Sequence, residues 1–218
     1  MKSFRPILIA ICIIVLLHFN ISLSETNNGL RIKFSTENEV RVQKAGSEGW
    51  LDINPNYELL SGDKISTLEE SSALINIYMH LSLQLGPFSL VEFTADSSAN
   101  MIFIKQGSTI LMASQSSRNI ISIRTPVSIL EFVSCQSDIM VGNDGSTEIK
   151  VFTGEINLTT VPNYDTTQTD STAITQSIEE PVNLVINRNE KIVITSWGTI
   201  VFHDEFIPDK EYDEFIHY

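Results

Sequence analysis

The sequence predicts an all-β protein: a β-solenoid-like or two-sheet β-sandwich fold of many short strands, with a short C-terminal helix or tail. Between residues 30 and 202, apolar side chains recur with a period of two rather than 3.6. Turn-forming residues interrupt these runs about every 8–12 residues. Charged residues make up only 19% of the chain, and Ser, Thr, Asn and Ile are plentiful. This composition favours sheets over helical bundles.

Length and charge limit the classes of function. The chain has 218 residues, which permits one or two domains, and 42% of them are hydrophobic, which suffices for a packed core. The formal net charge of −13 argues against a nucleic-acid partner, because no basic face would offset the phosphate charge. Two cysteines can form neither a disulfide-stapled scaffold nor a zinc cage.

The first 24 residues predict a secretory signal peptide. Lys2 and Arg5 precede an unbroken apolar run over residues 7–17, and Ser24 suits cleavage. The alternative is a retained membrane anchor, but a spanning helix needs about 20 apolar residues, and this run reaches that length only by including polar ones. The protein is therefore expected to be periplasmic or secreted, close to the membrane only if the segment is uncleaved.

Strands are expected in order along the next part of the chain. The alternating segments are residues 30–34, 40–42, 73–78, 81–85, 101–105, 120–123, 148–152, 182–186, 191–195 and 199–202. Asn143-Asp144-Gly145 is the strongest hairpin signal, because these residues tolerate positive φ. Other corners are predicted at Gly62-Asp63, Gly86-Pro87, Gly107 and Gly154.

A polar stretch over about residues 162–178 predicts a flexible loop. Strand patterns resume at residue 182, and about 35 residues are too few for a second core. We therefore expect one β domain over residues 25–203, with this loop inside it, followed by an acidic aromatic tail over residues 204–218.

The tail has a repeated sequence. Asp-Glu-Phe-Ile at 204–207 recurs at 213–216, and Pro208 suits the start of a short helix over 208–217. Its aromatic residues could pack on the last strand and cover a sheet edge. The alternative is a tail that docks on a partner, and its contact residues would be Phe206, Tyr212, Phe215 and Ile216.

The sequence predicts no catalytic, cofactor-binding or metal-binding site. It has neither a Gly-x-Ser-x-Gly elbow nor a phosphate-cradling glycine loop. His203 stands beside Asp204 and Glu205, but a zinc site takes three or four ligands and no partner pair is visible. We interpret this triplet as a strand end that continues into the acidic tail.

Cys135 is the only cysteine left once the signal peptide, which contains Cys12, is removed. Its neighbours Phe132, Val133 and Ile139 are apolar, which predicts a buried small hydrophobic residue. The alternative is a reactive thiol, which would need a histidine nearby in space to act as a nucleophile.

An ordered series of short motifs runs from residue 60 to residue 158: Leu60-Ser-Gly-Asp-Lys-Ile-Ser-Thr67, Ser72-Ala73, Leu85-Gly-Pro-Phe-Ser89, Ile104-Lys-Gln-Gly-Ser-Thr-Ile110, Thr125-Pro126, Asp144-Gly-Ser-Thr147 and Val151-Phe-Thr-Gly-Glu-Ile156. In order and spacing these motifs resemble the FecR domain family. Residues 185–194 resemble the closing hairpin of the family. The chain departs from the family at 134–137, where Ser-Cys-Gln-Ser replaces a Gly-Thr-x-Phe step.

The resemblance implies a β domain on the extracytoplasmic side of a bacterial membrane, where the family relays signals from an outer-membrane receptor. The family's cytoplasmic segment, which controls a sigma factor, is not expected, because only six residues precede the apolar run. What the resemblance implies is an exported, non-enzymatic module for protein–protein interaction or signalling in the cell envelope, with an unidentified envelope protein as its partner.

Two other functions remain open. Trp50 and Trp197 could stack on sugars, which would make the protein a glycan- or cell-wall-binding β domain with a polysaccharide partner. A secreted hydrolase would use Cys135 or a pair of acidic residues.

Overall fold

The computed structural model describes residues 30–34, 39–53, 57–77, 81–95, 100–114, 121–161 and 180–207. These residues form fifteen strands and no helix, so the all-β prediction is confirmed. The strands are β1 Leu30–Phe34, β2 Val40–Gln43, β3 Trp50–Asp52, β4 Glu58–Leu59, β5 Lys64–Thr67, β6 Ala73–Ile77, β7 Leu81–Leu85, β8 Leu90–Ala95, β9 Asn100–Ala113, β10 Ile121–Arg124, β11 Ser128–Val141, β12 Thr147–Thr160, β13 Asn183–Ile186, β14 Glu190–Ile194 and β15 Ile200–Glu205.

Three long strands, β9, β11 and β12, each contribute to two layers. One layer has the order β4-β1-β6-β7-β9-β11-β12-β14-β15, and the other has the order β3-β2-β5-β8-β9-β10-β11-β12-β13. Among the described strands, only β9 and β10 pair in parallel. This mostly antiparallel pairing is typical of β-sandwiches and β-barrels.

The long strands bend where they pass from one layer to the other. Gly107 in β9 and Gly154 in β12 have φ values of 96° and 75°, and the β11–β12 register shifts between Phe132 and Cys135. An extra residue at a bulge reverses the alternation of inward and outward side chains. Accordingly, Ile102 and Ile104 are buried before the bend in β9, whereas Thr109 and Leu111 are buried after it.

Each of the ten predicted segments overlaps a strand, and the hairpin at residues 143–145 is confirmed between β11 and β12. The predicted corners at Gly107 and Gly154 lie inside strands, because each glycine allows a bend without ending the pairing. None of the ten segments covers β3, β4, β5, β8 or β11.

The core is one cluster of side chains contributed by both layers. It contains fully buried aliphatic residues from strands across the pairing order, among them Ile65, Ile75, Leu83, Ile104, Leu111, Ile139 and Ile192. Within the described ranges, no helix has the length and apolar character of a membrane span. The predicted signal peptide, the loop over 162–178 and the helix over 208–217 lie outside the described residues.

Candidate interaction surface

The residues that carry the family resemblance form buried hydrogen-bonded corners. Thr67 Oγ1 donates to the Gly86 carbonyl at 2.7 Å and accepts from the Ser89 N–H at 2.8 Å. Ser89 Oγ lies 2.8 Å from the Gly86 carbonyl and 3.0 Å from the Ser108 carbonyl, and is placed to donate to either. Three separate sequence motifs therefore meet at one corner and fix the path of β5, β7 and β9.

A second corner joins the Thr-Pro motif to the hairpin between β11 and β12. The hydroxyl oxygens of Thr125 and Ser128 lie 2.8 Å apart, and Thr147 Oγ1 donates to Thr125 Oγ1 at 3.1 Å. All three residues are buried. Buried hydroxyls destabilise a fold unless they are paired, so these motif residues stabilise the corner and are not available to a ligand.

Cys135 is a core residue, as the sequence predicts, with 3% of its surface exposed. Its strand neighbours are Ala113 and Gly154. Burial raises the pKa of the Cys135 thiol to about 12, and the Ser137 hydroxyl offsets this shift only in part. His203 is the one histidine within the described residues, and it contacts Glu190 instead. The described environment of Cys135 therefore offers no base that would activate the thiol.

We expect Cys135 to be unreactive in the folded protein. Its thiol is buried and protonated at neutral pH, whereas disulfide reagents react with exposed thiolates. In protein lacking residues 1–24, an Ellman assay should show that almost no thiol reacts without denaturant. After unfolding in guanidinium, one thiol per protein molecule should react. Rapid reaction of the thiol in the folded protein would contradict the prediction that Cys135 is buried and would support the hypothesis that it is a nucleophile.

His203 contacts a carboxylate on the adjacent strand. Its Nε2 lies 3.3 Å from Glu190 Oε2 on the adjacent strand. The Asn187 N–H, at 2.6 Å, is the main cause that lowers the pKa of Glu190, with a smaller contribution from His203. Among the residues that the structure describes, no three potential ligands converge on one point.

Phe206 is the only predicted tail contact that lies within the described residues. Its ring packs edge-on against Phe152, with the ring centroids 5.4 Å apart and the planes at 87°. The Phe206 N–H also donates to the Asn189 carbonyl at 2.8 Å. This residue is therefore docked on its own domain. Tyr212, Phe215 and Ile216 lie outside the described residues.

The hairpin between β14 and β15 exposes large apolar side chains. Trp197 in the turn is 61% exposed, Val201 is 60% exposed, and Phe202 is 42% exposed. Val201 is the extra residue of a bulge in the β14–β15 pairing, and β15 ends the strand order of its layer. We call Trp197, Val201 and Phe202 the hairpin surface.

The charges next to the hairpin surface are paired with each other. Glu148 bonds to Lys150 at 3.0 Å and to Lys191 at 2.8 Å. Burial acts to raise the pKa of Glu148, but the bonds from Lys191 and Lys150 outweigh it, so its pKa lies below the usual value. Lys191 also lies 5.7 Å from the centre of the Phe202 ring. A ligand here would meet apolar side chains beside a paired cluster of charges.

The sequence contains a partial signal for this surface. Ile200, Val201 and Phe202 are consecutive apolar residues in a strand, and a strand can turn only alternate side chains to one face. At least one of the three therefore had to face outward. All of β15 beyond Ile200 is exposed because β15 lies at the end of its layer. The sequence does not reveal that position.

The two tryptophans proposed for sugar stacking belong to different strand pairs. Trp50 belongs to β3, the last strand at one end of the pairing order, and Trp197 belongs to the hairpin near the opposite end. Seven strand pairings separate β3 from β14. Both indoles are exposed, but they do not share one strand pair.

Comparison with known proteins identifies a shared fold. No protein-family model matches the sequence, and no curated protein matches it. Two crystal structures, at 2.50 and 1.65 Å resolution, of a Parabacteroides distasonis ATCC 8503 protein provisionally described as an anti-sigma factor are similar to this chain, each with a TM-score of 0.51 and 12% sequence identity. The matches cover 68% and 70% of this chain but only 62% and 64% of those chains. The chain thus spans under two thirds of the structures that it matches, and at this identity the likeness shows a common fold.

Proposed function

We propose that this protein is an exported, non-enzymatic signalling module with a FecR-like fold that binds a protein of the bacterial cell envelope. The exposed apolar hairpin surface carries the proposal, because solvent-exposed clusters of large apolar residues mark interaction sites. The similarity to structures described as anti-sigma factors supports a regulatory role. FecR-like membership is supported by the order of the sequence motifs and by their meeting at buried corners.

The environments of Cys135 and His203 support a non-enzymatic role. Cys135 is buried and His203 bonds a carboxylate on the next strand. The glycan-binding alternative has less support, because Trp50 on β3 and Trp197 in the β14–β15 turn do not share a strand pair.

Site-specific cross-linking in the native cell envelope tests the proposal. A photo-reactive phenylalanine at Val201 should give one discrete adduct with an envelope protein, whereas the same group at Glu69, exposed in the turn between β5 and β6, should not. Phe202→Ser should reduce the Val201 adduct several-fold, because interface aromatics contribute strongly to affinity. Equal adducts at both positions, or binding of isolated envelope polysaccharide with no protein adduct, would contradict the proposal.

Export is tested separately by the mass of the N-terminus. We expect mature protein beginning at Glu25 in the periplasmic or secreted fraction, because Ser24 is suited to cleavage. An intact N-terminus in the membrane fraction would instead support a retained anchor.

A further inference from the structure

We propose that a second surface, on the outer face of the layer that contains β10, binds an acidic peptide segment of a partner protein. This inference is independent of the hairpin surface. It concerns a row of cross-strand neighbours, Lys64, Glu92, Phe103 and Arg124, which lie side by side on β5, β8, β9 and β10. Together with Lys105 they are called the basic stripe.

Arg124 is held by an aromatic ring and not by an acid. Its guanidinium carbon lies 5.4 Å from the centre of the Phe103 ring. No carboxylate of the described residues pairs with it, and its Nε is buried without a hydrogen-bond partner among those residues. A stacked guanidinium keeps a planar fork of donors in place, which suits the capture of a carboxylate.

The rest of the basic stripe adds positive charge. Lys105 pairs with Glu92 at 2.5 Å and lies 5.2 Å from the Phe103 ring centre. Lys64 is the cross-strand neighbour of Glu92, and its ammonium donates to Gln43. The stripe therefore holds three cations and one carboxylate, in a chain whose formal net charge is −13. A positive stripe on an acidic protein selects an anionic partner.

The apolar part of the stripe favours a peptide over a polyanionic sugar. The half-buried Phe103 ring lies between two cations, and Ile129 is the next outward residue beyond Arg124. This surface is complementary to a segment in which acidic and aromatic or aliphatic side chains alternate. A sulfated or uronic-acid sugar would satisfy the charges but not the apolar contacts.

Fluorescence anisotropy with a labelled peptide tests this inference. The probe is an 11-residue peptide with the sequence of residues 208–218, since it combines four acidic with three aromatic side chains. We expect saturable binding that Arg124→Gln weakens about tenfold or more and Lys64→Gln weakens about threefold. Raising the salt from about 0.05 to 0.5 M should also weaken it, because the Debye length shortens. Arg124→Lys keeps the charge but loses the planar fork, so it should recover only part of the affinity.

Matched controls separate this surface from the hairpin surface. Phe202→Ser should leave peptide affinity unchanged, and Arg124→Gln should leave the Val201 cross-link unchanged. The Lys64→Gln variant, at a partly exposed position, keeps the test valid if Arg124→Gln lowers the melting temperature. Equal affinity for a probe with Asn and Gln in place of its acids would overturn the inference. Three further results would overturn it. They are unchanged peptide affinity in both stripe variants, no saturable peptide binding up to about 1 mM, and binding of a heparin oligosaccharide to the stripe when the peptide does not bind.

Discussion

Gly154→Ala is expected to lower the free energy of unfolding by about 2–5 kcal/mol. Gly154 has φ of 75°, where an L-residue costs about 1–2 kcal/mol. A Cβ at this position would also lie 1.9 Å from the Ser134 carbonyl oxygen, so the paired backbone of β11 would have to move. Overpacking of this kind adds about 1–3 kcal/mol. This is a large part of the about 5–15 kcal/mol that stabilises a typical domain.

Gly46→Ala is the matched control for this prediction. Gly46 has nearly the same φ, 73°, but a Cβ there would meet no atom within 4 Å. Its loss of stability should therefore stay at the backbone cost of about 1–2 kcal/mol. Urea unfolding of both variants, followed by tryptophan fluorescence, measures the difference. If Gly154→Ala is no more destabilising than Gly46→Ala, the close contact between β11 and β12 at the bend does not exist.

The same glycine shows why the sequence predicts the strands but not their lengths. A glycine with positive φ ends a strand at a turn or bends it at a bulge, and the local sequence is alike in both cases. At Gly62 the chain turns, whereas at Gly107 and Gly154 pairing continues on both sides of the bend. Whether such a glycine ends the strand or bends it depends on which strands pair with it. That pairing involves residues that are distant in the sequence.

The two proposed surfaces differ in how far the local sequence indicates them. The hairpin surface left a local trace, because Ile200, Val201 and Phe202 cannot all face the core. No local sequence pattern indicates the basic stripe, because Phe103 and Arg124 become neighbours only through the parallel pairing of β9 and β10. The motifs at Thr67, Thr125 and Asp63 were visible in the sequence, and the structure assigns them to buried corners that hold the fold.

Asp63→Ala is expected to destabilise the protein by about 3 kcal/mol or more. The Asp63 side chain is buried and accepts the N–H groups of Ala45 at 3.0 Å and Leu60 at 3.1 Å. Hydrogen bonds to a charged group contribute about 1.5–3 kcal/mol each, and alanine would leave both donors unpaired. One carboxylate thus fixes the turn that follows β2 and the turn before β5. Asp63→Asn keeps one acceptor oxygen but turns an amide N–H₂ toward the other donor, so its loss should lie below that of alanine.

Asp52→Ala provides the control for removing an acid without removing a buried contact. Asp52 is exposed and pairs with Arg41 at 3.1 Å on the surface, so its loss should change stability by less than about 0.5 kcal/mol. Thermal unfolding monitored by circular dichroism compares the three variants. A loss in Asp63→Ala as small as that in Asp52→Ala would contradict the clamping role.

Tyr57 gives an independent readout of the same carboxylate. Its pKa is raised first by burial and then by the negative charge of Asp63 and by the hydrogen bond to it. Removing the charge should therefore lower the pKa of Tyr57 toward its usual value, while burial keeps part of the shift. The sign follows because a nearby anion disfavours the phenolate. An ultraviolet titration of Asp63→Asn, which preserves the size of the side chain, separates this electrostatic effect from unfolding: a Tyr57 pKa unchanged in a folded Asp63→Asn protein would show that the carboxylate does not reach the ring, and the corner would then depend on the two backbone hydrogen bonds alone.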